Sequence, residues 1–455
     1  RWSIAVDRSA EIDVSFGVDG EIWSLNGQHL PSLVPARDDD TLTVSGTTVE
    51  SGIDVSVAVE HEVDAESIGI QDVISGTSAL RTTRVALAPG APLTIDSIAT
   101  VATSHSSRRP HDLGEVRAAR RRGYEALRED NRSAWAAIWE SMDVTIEGSD
   151  TDQLGVRFAA YHNRICTPVH DERLPLGARG LSCQAYQGAA FWDQEIYNLP
   201  VFLFTEPEVA RSLLVYRHHT LDGARRKAER LGHAGAFFAW ISGDTGDELC
   251  PDFFFRDVIT GRPIRTHFND WQIHVAPDIV TAIARYVEVT DDRAFVLEHG
   301  AEITFEVARF LHSFVRYDEW RDAYHCIRLL GPDEWHENVD NNAFTNHQVH
   351  AALVYAIDTW EMMAAEHADE LERLSADIDL ASAEVDGWRR IRDRLLLPGP
   401  NPDSGLIEQF EGFFELEDVS PADLRDRLID PTEYWGYPNG VAVHTQVSKQ
   451  ADVPM

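Results

Sequence analysis

Positions 331 to 342 read Gly-Pro-Asp-Glu-Trp-His-Glu-Asn-Val-Asp-Asn-Asn. Three of its four carboxylates, Asp333, Glu334 and Glu337, lie beside a tryptophan and a histidine. Like charges set this close raise the pKa of one among them, and a carboxylic acid protonated at neutral pH can hand its proton to a leaving group. Gly331 and Pro332 end the helical pattern upstream, and an apolar-periodic segment, Ala351 to Met362, follows. The stretch is expected as a loop at the end of a helix, where chemistry is commonly mounted on a rigid scaffold. Composition alone leaves a solvated acidic turn equally open.

Two further stretches narrow the choice. One is Tyr186-Gln187-Gly188-Ala189-Ala190-Phe191-Trp192-Asp193-Gln194-Glu195-Ile196-Tyr197-Asn198-Leu199-Pro200, and the other is Val447-Ser448-Lys449-Gln450-Ala451-Asp452-Val453. With Gly-Pro-Asp-Glu-aromatic-His, they resemble glycoside hydrolase family 65, the inverting disaccharide phosphorylases acting on maltose, trehalose, kojibiose or nigerose, with a few related hydrolases. The likeness runs in order from about residue 150 to the last residue. Any one motif alone would be a weak signal.

The resemblance implies a set of roles. Glu334 would be the general acid that protonates the leaving oxygen. An inverting hydrolase needs a second carboxylate about 6.5–9.5 Å away to activate water, whereas inorganic phosphate is already a nucleophile. Trp192 and Asp193 match the family's Phe-Trp-Asp motif and would hold the transferred glucosyl unit, the indole on the apolar ring face and the carboxylate on two hydroxyls. The plain alternative is a helix start with Trp192 in the core. Lys449 and Gln450 would bind hydroxyls of the same glucose; a surface lysine at a helix start is the competing reading. Glu195 fits either a supporting role or the first turn of a helix.

Recognition of the leaving group is where the sequence departs from the family. The phosphorylases carry Pro-Trp-Glu around the position of Trp240, and here the loop reads Phe238-Ala239-Trp240-Ile241-Ser242. Trp240 remains a candidate substrate contact, but the missing glutamate leaves the leaving sugar open. The glucosyl loop reads Cys183-Gln184-Ala185-Tyr186 where many relatives have Thr-Gly-Glu-Gly. His267-Phe268-Asn269-Asp270-Trp271-Gln272-Ile273-His274 is rich in sugar-compatible side chains and could line the mouth of the site or simply pack. In relatives the phosphate ligands, or the hydrolases' base, lie well beyond the Lys-Gln motif. Phosphorolysis is the favoured reaction, with hydrolysis of an α-glucoside, using a second carboxylate beyond residue 455, as the alternative. A binding protein that lost catalysis is a third, disfavoured by the presence of Glu334, Asp193 and Lys449.

The 455 residues are 43% hydrophobic and 25% charged, an ordinary globular composition. A formal net charge of −36 argues against binding nucleic acid or an anionic membrane, and any phosphate site must be built locally. No apolar run approaches the ~18 residues of a membrane span. The partners expected are a small sugar and phosphate; a homodimer, or a second polypeptide or further segment completing the C-terminal part, is compatible with this. No organic cofactor motif and no metal-ligand spacing stands out, and His336, His347 and His350 read as loop and helix histidines. Cys166, Cys183, Cys250 and Cys326 read as free thiols of a reducing compartment. A bacterial cytoplasmic location, in keeping with that reducing compartment, is expected.

The fold class expected is multidomain, α and β. Residues 1–104 alternate apolar and polar in runs such as Ile12 to Phe16, Ile53 to Val59 and Leu93 to Ile95, broken at Asp19-Gly20 and Ser45-Gly46, and predict a β-sandwich. Asp38-Asp39-Asp40 reads as a solvated loop. Residues 105–143 predict a helical linker, its Arg117, Arg120, Arg121 and Arg122 pairing with the acidic bulk. Residues 144–455 predict helices near 154–166, 207–231, 273–289, 294–313, 346–367, 381–396 and 421–428. The resemblance implies that they belong to an (α/α)6 barrel. Strand-like alternation at the very start and a motif interrupted at Met455 suggest a chain incomplete at both ends.

Overall fold

Alternation along a pleated strand puts every second side chain on one face, and the N-terminal region follows it. The structure is a computed structural model describing residues 1–22, 25, 27–64, 67–106, 110–181, 186–436 and 440–455. Strands β1 (Trp2–Ile4), β2 (Ala10–Val18), β3 (Val34–Asp38), β4 (Thr41–Thr47), β5 (Asp54–Val63), β6 (Ser67–Ser75), β7 (Ser78–Leu87) and β8 (Leu93–Thr103) form two antiparallel sheets. Their orders are β1-β8-β5-β4-β3 and β2-β7-β6. The sheets meet through their apolar faces: Val14, Val85 and Leu87 of the smaller sheet pack on Leu93 and Ile95 of the larger, and Ala79 packs on Leu42, Val44 and Val59. Each large aliphatic side chain buried this way contributes about 1.5–3 kcal/mol.

Two local expectations need correction or detail. Ser45-Gly46 is not a break but lies inside β4. A Cβ on Gly46 would stand 2.8 Å from a Leu33 methyl, so glycine serves close packing there and not a turn. Asp38-Asp39-Asp40 makes the β3–β4 turn, with Asp39 at φ 51°, and its outer carboxylates pair with Arg117 at 2.9 Å and Arg81 at 3.2 Å.

Helices α1 (Gly114–Arg122) and α2 (Tyr124–Met142) follow. Val116 of α1 packs on Ala58 and Ile98, and Arg120, one turn along the same face, pairs with Glu62 of β5 at 2.9 Å. The chain divides into two compact units, Arg1–Ser141 and Met142–Met455. These helices therefore cluster with the sheets.

The second unit is built on helices: α3 (Asp150–Cys166), α4 (Leu199–Thr205), α5 (Pro207–His219), α6 (Leu221–Arg230), a single turn α7 (Phe268–Trp271), α8 (Val275–Thr290), the short α9 (Arg293–Phe295), α10 (Ala301–Phe314), α11 (Ala343–Glu366), α12 (Ala368–Asp377) and α13 (Ser382–Arg394). The single helix expected over 207–231 is broken at Thr220, whose hydroxyl bonds back to the carbonyls of Tyr216 and Arg217, both at 3.1 Å; such back-bonding competes with the helix ladder. Helix α11 packs on α8, α10 and α13, and Ile279, Ile283, Phe305, Val349, Leu353 and Trp388 are fully buried. Short strand pairs fill the loops: β9 (Phe253–Arg256) with β10 (Pro263–Arg265), β11 (Arg316–Asp318) with β12 (Ala323–His325), and β13 (Leu329–Leu330) with β14 (Glu337–Val339). Cys166, Cys250 and Cys326 are free thiols, Cys166 only half-buried; Cys183 lies outside the described residues.

Candidate active site

The acidic stretch is not a loop closing a helix. Residues 331–336 form the tip of the β13–β14 hairpin, since α10 ends at Phe314 and the chain from Val315 onward is strand and turn. At the far side Asn342 starts α11, its side-chain oxygen accepting from the Thr345 N–H at 2.9 Å. The Asn342 amide donates to Asp452 Oδ2 at 2.6 Å. Gly331 leaves the space these two side chains occupy: a Cβ there would lie 2.4 Å from Asn342 Nδ2 and 2.5 Å from Asp452 Oδ2.

Asp333 is the hub of the tip. Its Oδ1 accepts from the backbone N–H groups of Trp335 (3.2 Å), Lys449 (2.9 Å) and Gln450 (3.4 Å). Its Oδ2 accepts from His336 Nδ1 (2.6 Å) and Gln409 Nε2 (2.8 Å). His336 Nε2 meets the Thr445 carbonyl at 2.9 Å. A carbonyl only accepts, so Nε2 donates to Thr445, and with Asp333 ionised Nδ1 donates as well, which makes the ring an imidazolium. Burial works against that charge, but the hydrogen bond and the charge of Asp333 outweigh it and hold the His336 pKa above its ordinary value. The Asp333 N–H donates to Asp452 Oδ1 at 2.7 Å, and burial pushes the Asp452 carboxyl up to about 7.

Glu334, next along the tip, is turned outward. Its side chain is 21% exposed and is met by the ammonium of Lys449. Its N–H donates to Gln450 Oε1 at 3.2 Å, and Tyr434 donates its hydroxyl to the Glu334 carbonyl at 2.6 Å. The Lys449-Gln450 segment is thus bonded to the acidic tip through both main chain and side chains. Glu337 is different again. It is 3% exposed, neither carboxyl oxygen has a well-formed hydrogen-bond partner among the described residues, and burial pushes it up to about 8 against a weak pull from the His267 backbone N–H. Burial is the leading cause of that shift, and the like charge beside it is Asp270.

Trp192 and Asp193 enter from another part of the chain. Asp193 precedes a π-helical turn, Gln194–Asn198, that runs into α4, and its carboxylate makes no capping hydrogen bond. Burial raises its pKa, and the charges of Glu195 and Glu334 add to this, which puts Asp193 within electrostatic reach of the acidic tip. Trp192 is half-buried, edge-on to Tyr197, His274 and Phe344 at ring distances of 5.3, 4.9 and 5.7 Å. Glu195 is wholly buried in a two-pronged ion pair with Arg217, at 2.8 and 2.7 Å, and supports the turn from behind.

Trp240 sits deeper. Its indole is 6% exposed, stacked on Phe268 at 4.8 Å and edge-on to Phe191 at 5.1 Å, with Nε1 buried and without a hydrogen-bond partner among the described residues. At that exposure it offers no open ring face. The 267–274 segment both packs and supports: His267 stacks on Trp271 at 3.6 Å, and Gln272 donates to the Gly331 carbonyl at 2.8 Å. Residues 182–185 of the expected glucosyl loop lie outside the described residues. Gln409 and Tyr434 were not singled out from the sequence; Asn342, closing the acidic stretch, and Asp452, inside the Lys-Gln-Ala-Asp motif, carried a signal there only as motif members. Among the described residues no group of three His, Cys, Asp or Glu is fit to hold a metal ion.

The model of the "Glycosyl hydrolase family 65 central catalytic domain" matches residues 157–455, and that of the family's N-terminal domain matches residues 1–138. The chain belongs to glycosyl hydrolase family 65. It is 45% identical to the 1,2-alpha-glucosylglycerol phosphorylase of Bacillus selenitireducens over 100% of this chain and 59% of that protein. It is 35% identical to the nigerose phosphorylase of Lachnoclostridium phytofermentans over 99% of this chain and 63% of the relative. The kojibiose phosphorylase of Halothermothrix orenii is 40% identical over 73% of this chain and 42% of its own length. The chain thus spans less than two thirds of these family 65 phosphorylases. A solved structure from the human microbiome covers 99% of this chain and 58% of its own with a TM-score of 0.82 at 20% identity, a shared fold. The family domains are accordingly an N-terminal domain of sheets and a helical catalytic domain. Among the described residues no helix is long and apolar enough to cross a membrane.

Proposed function

We propose that the protein containing this chain is an inverting phosphorylase of an α-linked glucoside. The observation that carries the reading is the hairpin tip, where Glu334 is turned outward against Lys449 and within electrostatic reach of Asp193. Trp192 and Asp193 hold the glucosyl unit, with Lys449 and Gln450 on its hydroxyls. As a glucosyl hydroxyl takes Lys449 off the Glu334 carboxylate, that carboxylate takes up a proton from solvent and gives it to the glycosidic oxygen as the C1–O bond breaks. A phosphate oxygen bonds to C1 from the opposite face, so the products are β-glucose 1-phosphate and the free leaving group. Trp240 backs the leaving-group side. The relatives are phosphorylases of glucosylglycerol, nigerose and kojibiose, so the leaving group is a polyol or a second sugar. In this reading residues 1–104 are a β-sandwich, 105–143 a linker and 144–455 part of an (α/α)6 barrel, in a cytoplasmic enzyme.

The test incubates the full-length protein with glucosylglycerol, kojibiose, nigerose, maltose and trehalose, with and without phosphate, and follows the anomer by NMR. β-Glucose 1-phosphate formed only with phosphate supports the reading and names the linkage. β-Glucose released equally without phosphate replaces phosphorolysis with hydrolysis.

A further inference from the structure

His274 and Asp278 stand four residues apart at the start of α8, and both side chains are 0% exposed. His274 Nδ1 bonds Asp278 Oδ2 at 2.8 Å. His274 Nε2 and Asp278 Oδ1 find no hydrogen-bond partner among the described residues. Burying such a pair with half its polar atoms unpaired is costly, and apolar side chains would fill the space more cheaply.

What the pair touches supplies a purpose. The imidazole lies edge-on to Trp192 at 4.9 Å (77° between planes) and to Phe344 at 5.6 Å (82°). Trp192 and Phe344 are themselves edge-on at 5.7 Å, so the three rings brace one another. The bond to Asp278 removes the imidazole's freedom to turn. The ring that contacts it most closely is then held at one tilt, on the residue directly before Asp193.

We propose that His274, fixed by Asp278, is a positioning residue for the glucosyl site: it sets the plane of the Trp192 indole and so the spacing between that indole and the adjoining Asp193 carboxylate. This rests on the reading that Trp192 and Asp193 hold the sugar. A pyranose gripped between a ring face and a carboxylate tolerates little change in that spacing, because reactive geometry is lost within about 1 Å. Neither member of the pair touches the reacting atoms.

The test compares wild type, His274→Asn and Asp278→Asn in the full-length protein. Asparagine at 274 keeps a donor for Asp278 but removes the ring behind Trp192. Asparagine at 278 keeps an oxygen acceptor and is the conservative control. The expected result for His274→Asn is a KM for the glucoside raised about tenfold or more, a KM for phosphate within about twofold, and a milder change for Asp278→Asn. A merely structural defect would lower the active fraction, reducing kcat with both KM values unchanged; that result overturns the proposal, as does a glucoside KM within about twofold of wild type. If wild type turns over no glucoside with phosphate, the phosphorylase reading fails, and glucose affinity by calorimetry decides the positioning role. A tenfold weaker affinity in His274→Asn then supports it and equal affinity overturns it; wild type binding no glucose overturns both.

Discussion

The ammonium of Lys449 rests on the carboxylate of Glu334, 115 residues earlier in the chain. Both charges belong to the side chains assigned to the sugar and to proton transfer, so without substrate they neutralise each other. A glucosyl hydroxyl that engages Lys449 replaces that contact. Lys449→Met removes a charge-assisted hydrogen bond worth roughly 1.5–3 kcal/mol. The KM for the glucoside should rise about 10- to 150-fold and the KM for phosphate much less. Steady-state kinetics with each substrate varied checks this; an unchanged glucoside KM removes Lys449 from the sugar.

Glu334→Gln keeps the shape of the hairpin tip and removes the proton. Turnover should fall by about a thousandfold or more, in line with the loss of a general acid, while glucose binding stays near wild type. Activity surviving within about tenfold, only ~1.4 kcal/mol of barrier, would assign the proton to another group.

Glu337 makes folding depend on pH. Its folded pKa, about 8, lies above the ordinary 4.5, so the native state holds a proton that the unfolded chain gives up between those values. Stability is therefore greatest at and below about pH 4.5 as far as this group is concerned, and falls as pH rises toward about 8. The loss across that window is of order 3–5 kcal/mol. Glu337→Gln mimics the neutral acid and should flatten the slope, leaving the thermal midpoint near wild type in mild acid and raising it in mild alkali. Parallel midpoint-against-pH curves for the two proteins would contradict the assignment.

The Asp333–His336 pair has the opposite arrangement. The folded pKa of His336 is raised, so its stabilisation is complete below the ordinary histidine value and is lost as pH rises through the folded one. Asp333→Asn leaves a buried imidazolium facing an amide and should cost about 3–5 kcal/mol, read as a large drop in melting temperature or loss of soluble protein. The penalty of His336→Gln should shrink as pH rises above neutral; a constant penalty would show that the ring is not charged in the fold.

How much of this was legible beforehand follows from what each residue answers to. Strands of the N-terminal sheets declare themselves through alternation, because one face meets the other sheet. Gly46 was misread because a glycine serving close packing looks, in one dimension, like a glycine serving a turn. The acidic tip was expected after a helix; two short strands too brief to show a period put it on a hairpin instead. Trp192, Asp193, Glu334, Lys449 and Gln450 were visible as motifs. Gln409, Tyr434 and Asp278 were not, and His274 entered only as the last residue of the 267–274 stretch, since their importance lies in what they touch across tens to hundreds of residues. Buried carboxyls could not be told from solvated ones either: the sequence pointed to like charge for the raised acid of the cluster, whereas burial leads the shift at Glu337.

The bonds from Asp333 to the main chain at Lys449 and Gln450 have a bearing on biosynthesis. A ribosome adding about 5–20 residues per second takes on the order of ten seconds to cross the 116 residues between Asp333 and Lys449. Through that interval the hairpin tip has emerged while the amides that satisfy its central carboxylate do not yet exist. The nascent acidic tip is then a half-site whose central carboxylate is left to water until the later segment arrives to close it.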